Sequence, residues 1–162
     1  MNDHVPPILS SGEVPVDKGA EFILCRKADE SLPDFAFPYE KRVFETIRKA
    51  VDCPITLHIC GDTRTCIDKM LETGADGIDI DTVMDLRTVH EKCGERITVT
   101  GNVAPLLLLH GTPDEVKRES LRCLEVFANS DRYILSTGCC VPPQAPPENI
   151  SAMVEAVDEF CR

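Results

Sequence analysis

The sequence has no basic segment, no long hydrophobic run and no amino-terminal signal pattern, and each absence excludes a class of function. Its 162 residues include 17 Lys and Arg against 28 Asp and Glu, which gives a net charge of −11. A nucleic-acid partner is therefore not expected, because phosphate backbones are bound by basic patches. The longest apolar run covers only residues 103–109, whereas a membrane helix needs about 20 apolar residues. The amino terminus lacks the charged and then apolar pattern of a secretory signal. We expect a cytoplasmic protein that neither spans a membrane nor binds nucleic acid.

The cysteine content is high, with nine in the chain. Without a secretory signal, these cysteines are expected to be free thiols in a reducing compartment, and not a disulfide framework. Hydrophobic residues make up 43% of the sequence, which is ordinary for a globular protein. The length is that of one domain and is sufficient for a substantial core.

Short strand-like runs alternate with segments of helical periodicity. The patterns predict strands over residues 18–25, 55–60, 77–81, 97–103 and 133–137. They predict helices over 35–51, 64–72, 83–92 and 112–128, a last helix from 146, and a turn at 31–34. Residues 1–17 carry three prolines and no periodicity, so we predict a loose lead-in before a unit spanning 18–162. A strand–helix unit repeated five times is typical of an α/β fold with a parallel sheet.

The strand predicted over residues 55–60 carries two side chains suited to metal binding. Because strand side chains alternate between faces, His58 and Cys60 project from the same face. Histidine and cysteine are ligands for a borderline-soft metal, zinc above all. The alternative is that both line a packed interior, since free cysteine is often buried. A third thiol, Cys139, follows the last strand; Cys140 is adjacent and is expected to point to the opposite side.

Other polar residues also follow predicted strands, where barrel-type α/β proteins place functional side chains. Asp79 and Asp81 share a face, so one of them orients a ligand or acts as an acid or base, or both are exposed loop carboxylates. Asn102 is expected to cap the turn after Gly101. The remaining histidines and cysteines are expected to be surface or structural residues: His4, His90, His110, Cys25, Cys53, Cys66, Cys93, Cys123 and Cys161.

Four stretches together resemble the uroporphyrinogen decarboxylase superfamily. They are Leu-His-Ile-Cys-Gly-Asp-Thr at 57–63, Gly-Ala-Asp-Gly-Ile at 74–78, Gly-Asn-Val at 101–103, and Ser-Thr-Gly-Cys at 136–139 with the prolines that follow. Within the superfamily, the His-x-Cys pair with a distant cysteine resembles the zinc-dependent methylcobamide:coenzyme M methyltransferases. A decarboxylase would be expected to have histidine at position 139 and no His-x-Cys. The resemblance covers residues 18–161 and corresponds only to the carboxyl-terminal part of such enzymes.

The resemblance implies a partial (β/α)₈ TIM barrel, about strands four to eight with their helices. It also implies a zinc ion held by His58, Cys60 and Cys139, with Asp81 as a weak fourth ligand or a hydrogen-bond acceptor beside the ligands. The implied reaction is methyl transfer from a methylated corrinoid protein to a small thiol such as coenzyme M, as in methanogenesis. Two alternatives stay open. One is a non-catalytic or truncated zinc-binding subunit; the other is a related lyase or demethylase acting on a tetrapyrrole or an aryl ether.

Five strands of an eight-strand barrel cannot close on themselves. Such a sheet leaves unpaired backbone groups along both edge strands. We also expect several Leu- or Ile-sized side chains of the barrel interior to face water on the open side, each forfeiting roughly 1.5–3 kcal/mol of burial. The chain is therefore expected to form a homo-oligomer, to pair with a separate amino-terminal half, or to stay poorly folded alone.

Overall fold

The computed structural model describes the backbone of residues 22–27 and the whole of residues 36–162. Its elements, in chain order, are β1 (Phe22–Lys27), α1 (Phe37–Ala50), β2 (Ile55–Cys60), α2 (Ile67–Leu71), β3 (Gly77–Ile80), α3 (Leu86–Cys93), β4 (Thr98–Val103), α4 (Pro105–His110), α5 (Pro113–Val126), β5 (Tyr133–Thr137) and α6 (Pro147–Phe160). The predicted lead-in over 1–17, residues 18–21 of the first predicted strand and the turn at 31–34 lie outside the described residues.

The strands form one parallel sheet in chain order. Each strand pairs with the next, from β1 to β5, which confirms the α/β prediction. Among the described strands, β1 and β5 are the edges and the sheet does not close. All carboxyl ends of the strands therefore lie along one side of the sheet, which is where the predicted site residues fall.

One face of the sheet packs against the helices. Ile55, Leu57 and Ile59 of β2 are fully buried and belong to a cluster that includes Phe44 of α1 and Met70 of α2. The alternating positions of β3 and β4 that face the same way are also buried: Ile78, Ile80, Val99 and Val103. This face supplies the hydrophobic core on which the site is built.

The opposite face of the sheet is polar on β2 to β4. The strand register aligns His58, Asp79, Thr100 and Ile134 in a row across four strands, and Thr56, Gly77 and Thr98 form the row beside it. Of these, Ile134 is the one large aliphatic side chain, and it is 49% exposed. At these positions β2 to β4 carry Thr, His, Gly and Asp, so the Leu- or Ile-sized side chains predicted to face water are not found on these three strands. The side chains of β1 lie outside the described residues.

Several helix boundaries differ from the prediction for local reasons. The helix α2 begins at Ile67 because residues 61–66 form a turn in which Thr63 O accepts from the N–H groups of Cys66 and Ile67. Similarly, α3 begins at Leu86, after Asp85 accepts from Thr88 N as its N-cap. The helix α4 was not predicted.

The start of α5 agrees with its sequence signal. Thr112 and Glu115 form a reciprocal capping box with a proline in the first turn, so the local sequence specifies where this helix begins. Within residues 36–162 and β1, no helix combines the length and apolar character needed to cross a membrane.

Candidate metal centre

His58, Cys60 and Cys139 converge at the carboxyl ends of β2 and β5. Their ligand atoms all lie within 4.8 Å of one another, the one such group found in the described part of the chain. His58 Nε2 is 3.0 Å from Cys60 Sγ, and the Sγ atoms of Cys60 and Cys139 are 3.8 Å apart. Cys140 is exposed. The structure thus brings together the three residues predicted as metal ligands.

This convergence requires curvature of the sheet. Cys60 and the strand before Cys139 are separated by three strand spacings, which amount to about 14 Å in a flat sheet. The two sulfur atoms are nevertheless 3.8 Å apart. Sheet curvature and the loop after β5 together close the gap.

Gly138 permits the loop after β5 to approach the site. A Cβ atom at Gly138 would lie 2.4 Å from Thr82 N and 3.0 Å from Asp81 C. The loop therefore rests directly on the turn after β3, and this contact positions Cys139, the next residue. This role of Gly138 could not be predicted from the sequence, because no local signal indicates which backbone segment the glycine contacts.

Asp79 holds the ring of His58. The Nδ1 atom of His58 lies 3.0 Å from the Asp79 carbonyl oxygen and 3.1 Å from its Oδ2. The hydrogen bond to the Asp79 carboxylate raises the pKa of His58 from 6.5 to about 9, against the lowering effect of burial. The ring is buried, so its orientation is set by these contacts and not by solvent.

The environment of Cys139 favours the thiolate. A hydrogen bond from the Cys140 backbone N–H lowers the pKa of Cys139; burial opposes this shift, and the contacts with Cys60 and His58 reinforce it. A thiolate is the form that ligates metals. The loop backbone thus prepares this cysteine for a metal ligand's role.

Asp81 connects two turns beside the cluster. Its Oδ2 accepts from Gly61 N at 2.7 Å and its Oδ1 accepts from the Thr82 hydroxyl at 2.9 Å. Burial raises its pKa, but these hydrogen bonds prevail and the net shift is downward. Its role as a weak fourth ligand stays a prediction.

Asn102 stabilises the turn after β3. It is buried, and its Nδ2 donates to the carbonyl oxygens of Asp81 and Met84 at 3.2 and 2.8 Å. It therefore fixes the turn after β3, which lies under the loop of Cys139, instead of capping the turn that follows its own strand.

The other candidates lie apart from the cluster. Cys25 pairs with His58 in the β1–β2 register, and its side chain lies outside the described residues. His90 was expected at the surface, but it is half-buried with its ring 4.4 Å from that of Phe127. His110 is exposed at the end of α4 and not in a turn. Among the cysteines taken as structural, three are buried: Cys66, Cys93 and Cys123.

The donor set and its spacing fit zinc. Two Zn–S bonds of about 2.3 Å at a tetrahedral angle separate their sulfur atoms by about 3.8 Å, which is the Cys60–Cys139 separation of 3.8 Å. The same geometry separates an imidazole nitrogen and a sulfur by about 3.5 Å, so the 3.0 Å contact between His58 and Cys60 would open slightly. One nitrogen and two sulfurs leave a fourth tetrahedral position, the arrangement of catalytic zinc sites.

Comparison with known proteins decides the family. The sequence profile described as "Uroporphyrinogen decarboxylase (URO-D)" matches residues 29–160. The chain belongs to the URO-D family. Within it, the chain is 32% identical over 132 residues to "Methylcobamide:CoM methyltransferase MtbA" of Methanosarcina acetivorans. It is 31% identical over 141 residues to "Uroporphyrinogen decarboxylase" of Ralstonia pickettii. A solved structure titled "methyltransferase from Methanosarcina mazei" superposes with a TM-score of 0.69 and 28% identity.

The chain spans much less than the full length of these URO-D relatives. The alignments cover 81% of the chain but 37% of the M. acetivorans protein, and 83% of the chain but 38% of the R. pickettii protein. The structural match covers 87% of the chain and 43% of the M. mazei methyltransferase. The observed five-stranded unit is thus part of a TIM barrel, as the sequence predicts.

Proposed function

We propose that this chain is the metal-bearing, carboxyl-terminal part of a zinc-dependent methyltransferase that moves a methyl group from a methylated corrinoid protein to a small thiol such as coenzyme M. The observation that carries the proposal is the convergence of His58, Cys60 and Cys139 at zinc spacing. Similarity to the M. acetivorans protein, whose name gives methylcobamide and CoM, supports the choice of donor and acceptor.

Zinc bound here would stabilise the thiolate form of a substrate thiol at its fourth coordination position. His58 would present Nε2, because its Nδ1 atom is engaged by Asp79. Cys139 would contribute a thiolate that its own loop backbone already favours. The proposed reaction needs no protein nucleophile; the residues of the site would bind the metal and orient the ligands.

The partners follow from the same proposal. A corrinoid protein would deliver the methyl group, and the rest of the barrel would come from a separate amino-terminal half or from further copies of the chain. We place the protein in the cytoplasm because a site that uses the Cys60 and Cys139 sulfur atoms as metal ligands requires reduced thiols, which a reducing compartment maintains.

Metal analysis of purified variants tests the site. Wild-type protein should hold one zinc per chain, and Cys139→Ala should lose it. Cys140→Ala is the matched control, because it removes a neighbouring thiol that is exposed and outside the cluster. Equal zinc loss in both variants would contradict the assignment.

Two other functions have support of their own. The open edges of β1 and β5 in the described sheet favour a zinc-binding subunit that is inactive without another chain. That function predicts zinc binding but no methyl transfer by the chain alone with methylated corrinoid protein and thiol, and activity once an amino-terminal half is added. Similarity to the R. pickettii decarboxylase favours a lyase or demethylase of the same family, which predicts purified protein without zinc.

A further inference from the structure

We propose that Asp79 is the positioning residue of the metal centre, holding the His58 imidazole through both its backbone carbonyl and its carboxylate so that Nε2 faces the two thiols. This inference rests on the proposed function in one respect, which is that zinc is the metal that Nε2 of His58 would bind. Nothing in the family profile or in the names of the relatives assigns Asp79 a role.

The contacts of Nδ1 identify which ring nitrogen is available. Nδ1 lies 3.0 Å from the Asp79 carbonyl oxygen, which can only accept a hydrogen bond, and 3.1 Å from the carboxylate Oδ2. A proton on Nδ1 satisfies both acceptors. In the neutral ring Nε2 then carries the free lone pair, and Nε2 is the atom that lies 3.0 Å from Cys60 Sγ.

The parallel register explains why one residue supplies both acceptors. His58 of β2 is paired with Asp79 of β3, so their side chains leave the same face of the sheet. The side chains are 6% and 17% exposed, respectively. Their contact is therefore well shielded from water, and it is fixed by the pairing of two core strands.

Stability alone does not account for the Asp79 carboxylate. Its second oxygen, Oδ1, is buried without a hydrogen-bond partner among the described residues, and a buried polar atom left unpaired costs free energy. By contrast, both oxygens of Asp81 accept hydrogen bonds from the adjoining turns. The other oxygen of Asp79, Oδ2, lies 3.1 Å from Nδ1 of the His58 ring.

A carboxylate behind a ligating histidine fixes its tautomer and orientation and increases its basicity, and removal of such a group weakens metal affinity about 10–100-fold. Asp79→Asn keeps the size of the side chain and removes its charge, whereas Asp79→Ala removes the acceptor altogether. The backbone carbonyl remains in both variants. Both should therefore bind zinc more weakly than wild type, with the alanine variant at least as weak as the asparagine variant.

The control is Asp76→Asn. It removes the same charge shortly before β3, at the opposite end of that strand, where Asp76 pairs with Arg48 and accepts from Ile55 N. Zinc affinity would be measured for all variants by competition with a chelating dye. We expect about a 10–100-fold loss for the Asp79 variants and none for Asp76→Asn. Unchanged affinity in the Asp79 variants, or an equal loss in Asp76→Asn, would overturn the proposal.

A second readout does not depend on zinc. Long-range proton–nitrogen NMR spectra of histidine-labelled, metal-free protein, with His58 assigned through His58→Gln, report the proton on Nδ1. We expect a protected Nδ1 proton signal in wild type that shifts in Asp79→Asn and not in Asp76→Asn. A signal unmoved by Asp79→Asn overturns the positioning role. Failure of wild-type protein to bind zinc would instead refute the proposed function and leave this measurement decisive for Asp79.

Discussion

Gly138→Ala should disrupt the metal centre while leaving the fold largely intact. The added Cβ would lie 2.4 Å from Thr82 N and 2.9 Å from Thr82 Cγ2, where ordinary contact begins at 3.4 Å. The loop after β5 must therefore move away from the turn after β3 by about 1 Å, since crowding against backbone atoms is relieved by backbone shifts. Cys139 is the next residue and would move with it.

The magnitude follows from the tolerance of metal sites. Ligand distances must hold within about 0.2 Å, so a shift of about 1 Å removes Cys139 from the ligand set. The free energy of unfolding of the metal-free chain should fall by at most about 3 kcal/mol, the upper end of the usual cost of overpacking. In contrast, the stabilisation by zinc, about 2.7 kcal/mol at a free zinc concentration 100 times the Kd, should be largely lost.

The assay is urea unfolding with and without zinc, together with metal content. Gly111→Ala is the matched control, because its Cβ would lie 2.6 Å from Leu107 O of α4, which is not part of the cluster, and neither glycine has a positive φ. The control should lose stability but keep its zinc. If Gly138→Ala binds zinc as wild type does, the contact with Thr82 does not position Cys139 and the reasoning fails.

Three further predictions concern the turn, the sheet edges and the substrate. Asn102→Ala should lower the free energy of unfolding by about 1–3 kcal/mol because the carbonyls of Asp81 and Met84 lose a buried donor; a change below about 0.5 kcal/mol in urea unfolding would contradict this. The isolated chain should self-associate in sedimentation experiments, or bind an amino-terminal half, because β1 and β5 are edge strands in the described sheet; a cooperative monomer at micromolar concentration is the opposing result. Binding of a small thiol to zinc-loaded protein near neutral pH should release about one proton. Calorimetry in buffers of different ionisation enthalpy counts it, and a count near zero would refute thiolate binding.

Sequence reasoning located most of the fold because its signals are local. The period-two pattern of residues 55–60 and the capping box at Thr112 depend only on nearby residues, and both are confirmed. The short helix α4 was missed because Pro105 and the leucines after it follow the strand β4 directly, without a polar cap. The start of α2 was predicted too early because the turn of residues 61–66 includes the first residues of the predicted helix.

The sequence by itself determined the ligand types and their grouping on β2, because strand alternation puts His58 and Cys60 on one face. Only the tertiary structure decided that Cys139 reaches them. That contact joins strands three spacings apart, and it depends on sheet curvature and on a glycine that meets Thr82, a residue distant in sequence. The pairing of Asp79 with His58 likewise depends on strand register, which is set by how β2 and β3 align their buried faces. No periodicity within either strand contains that information.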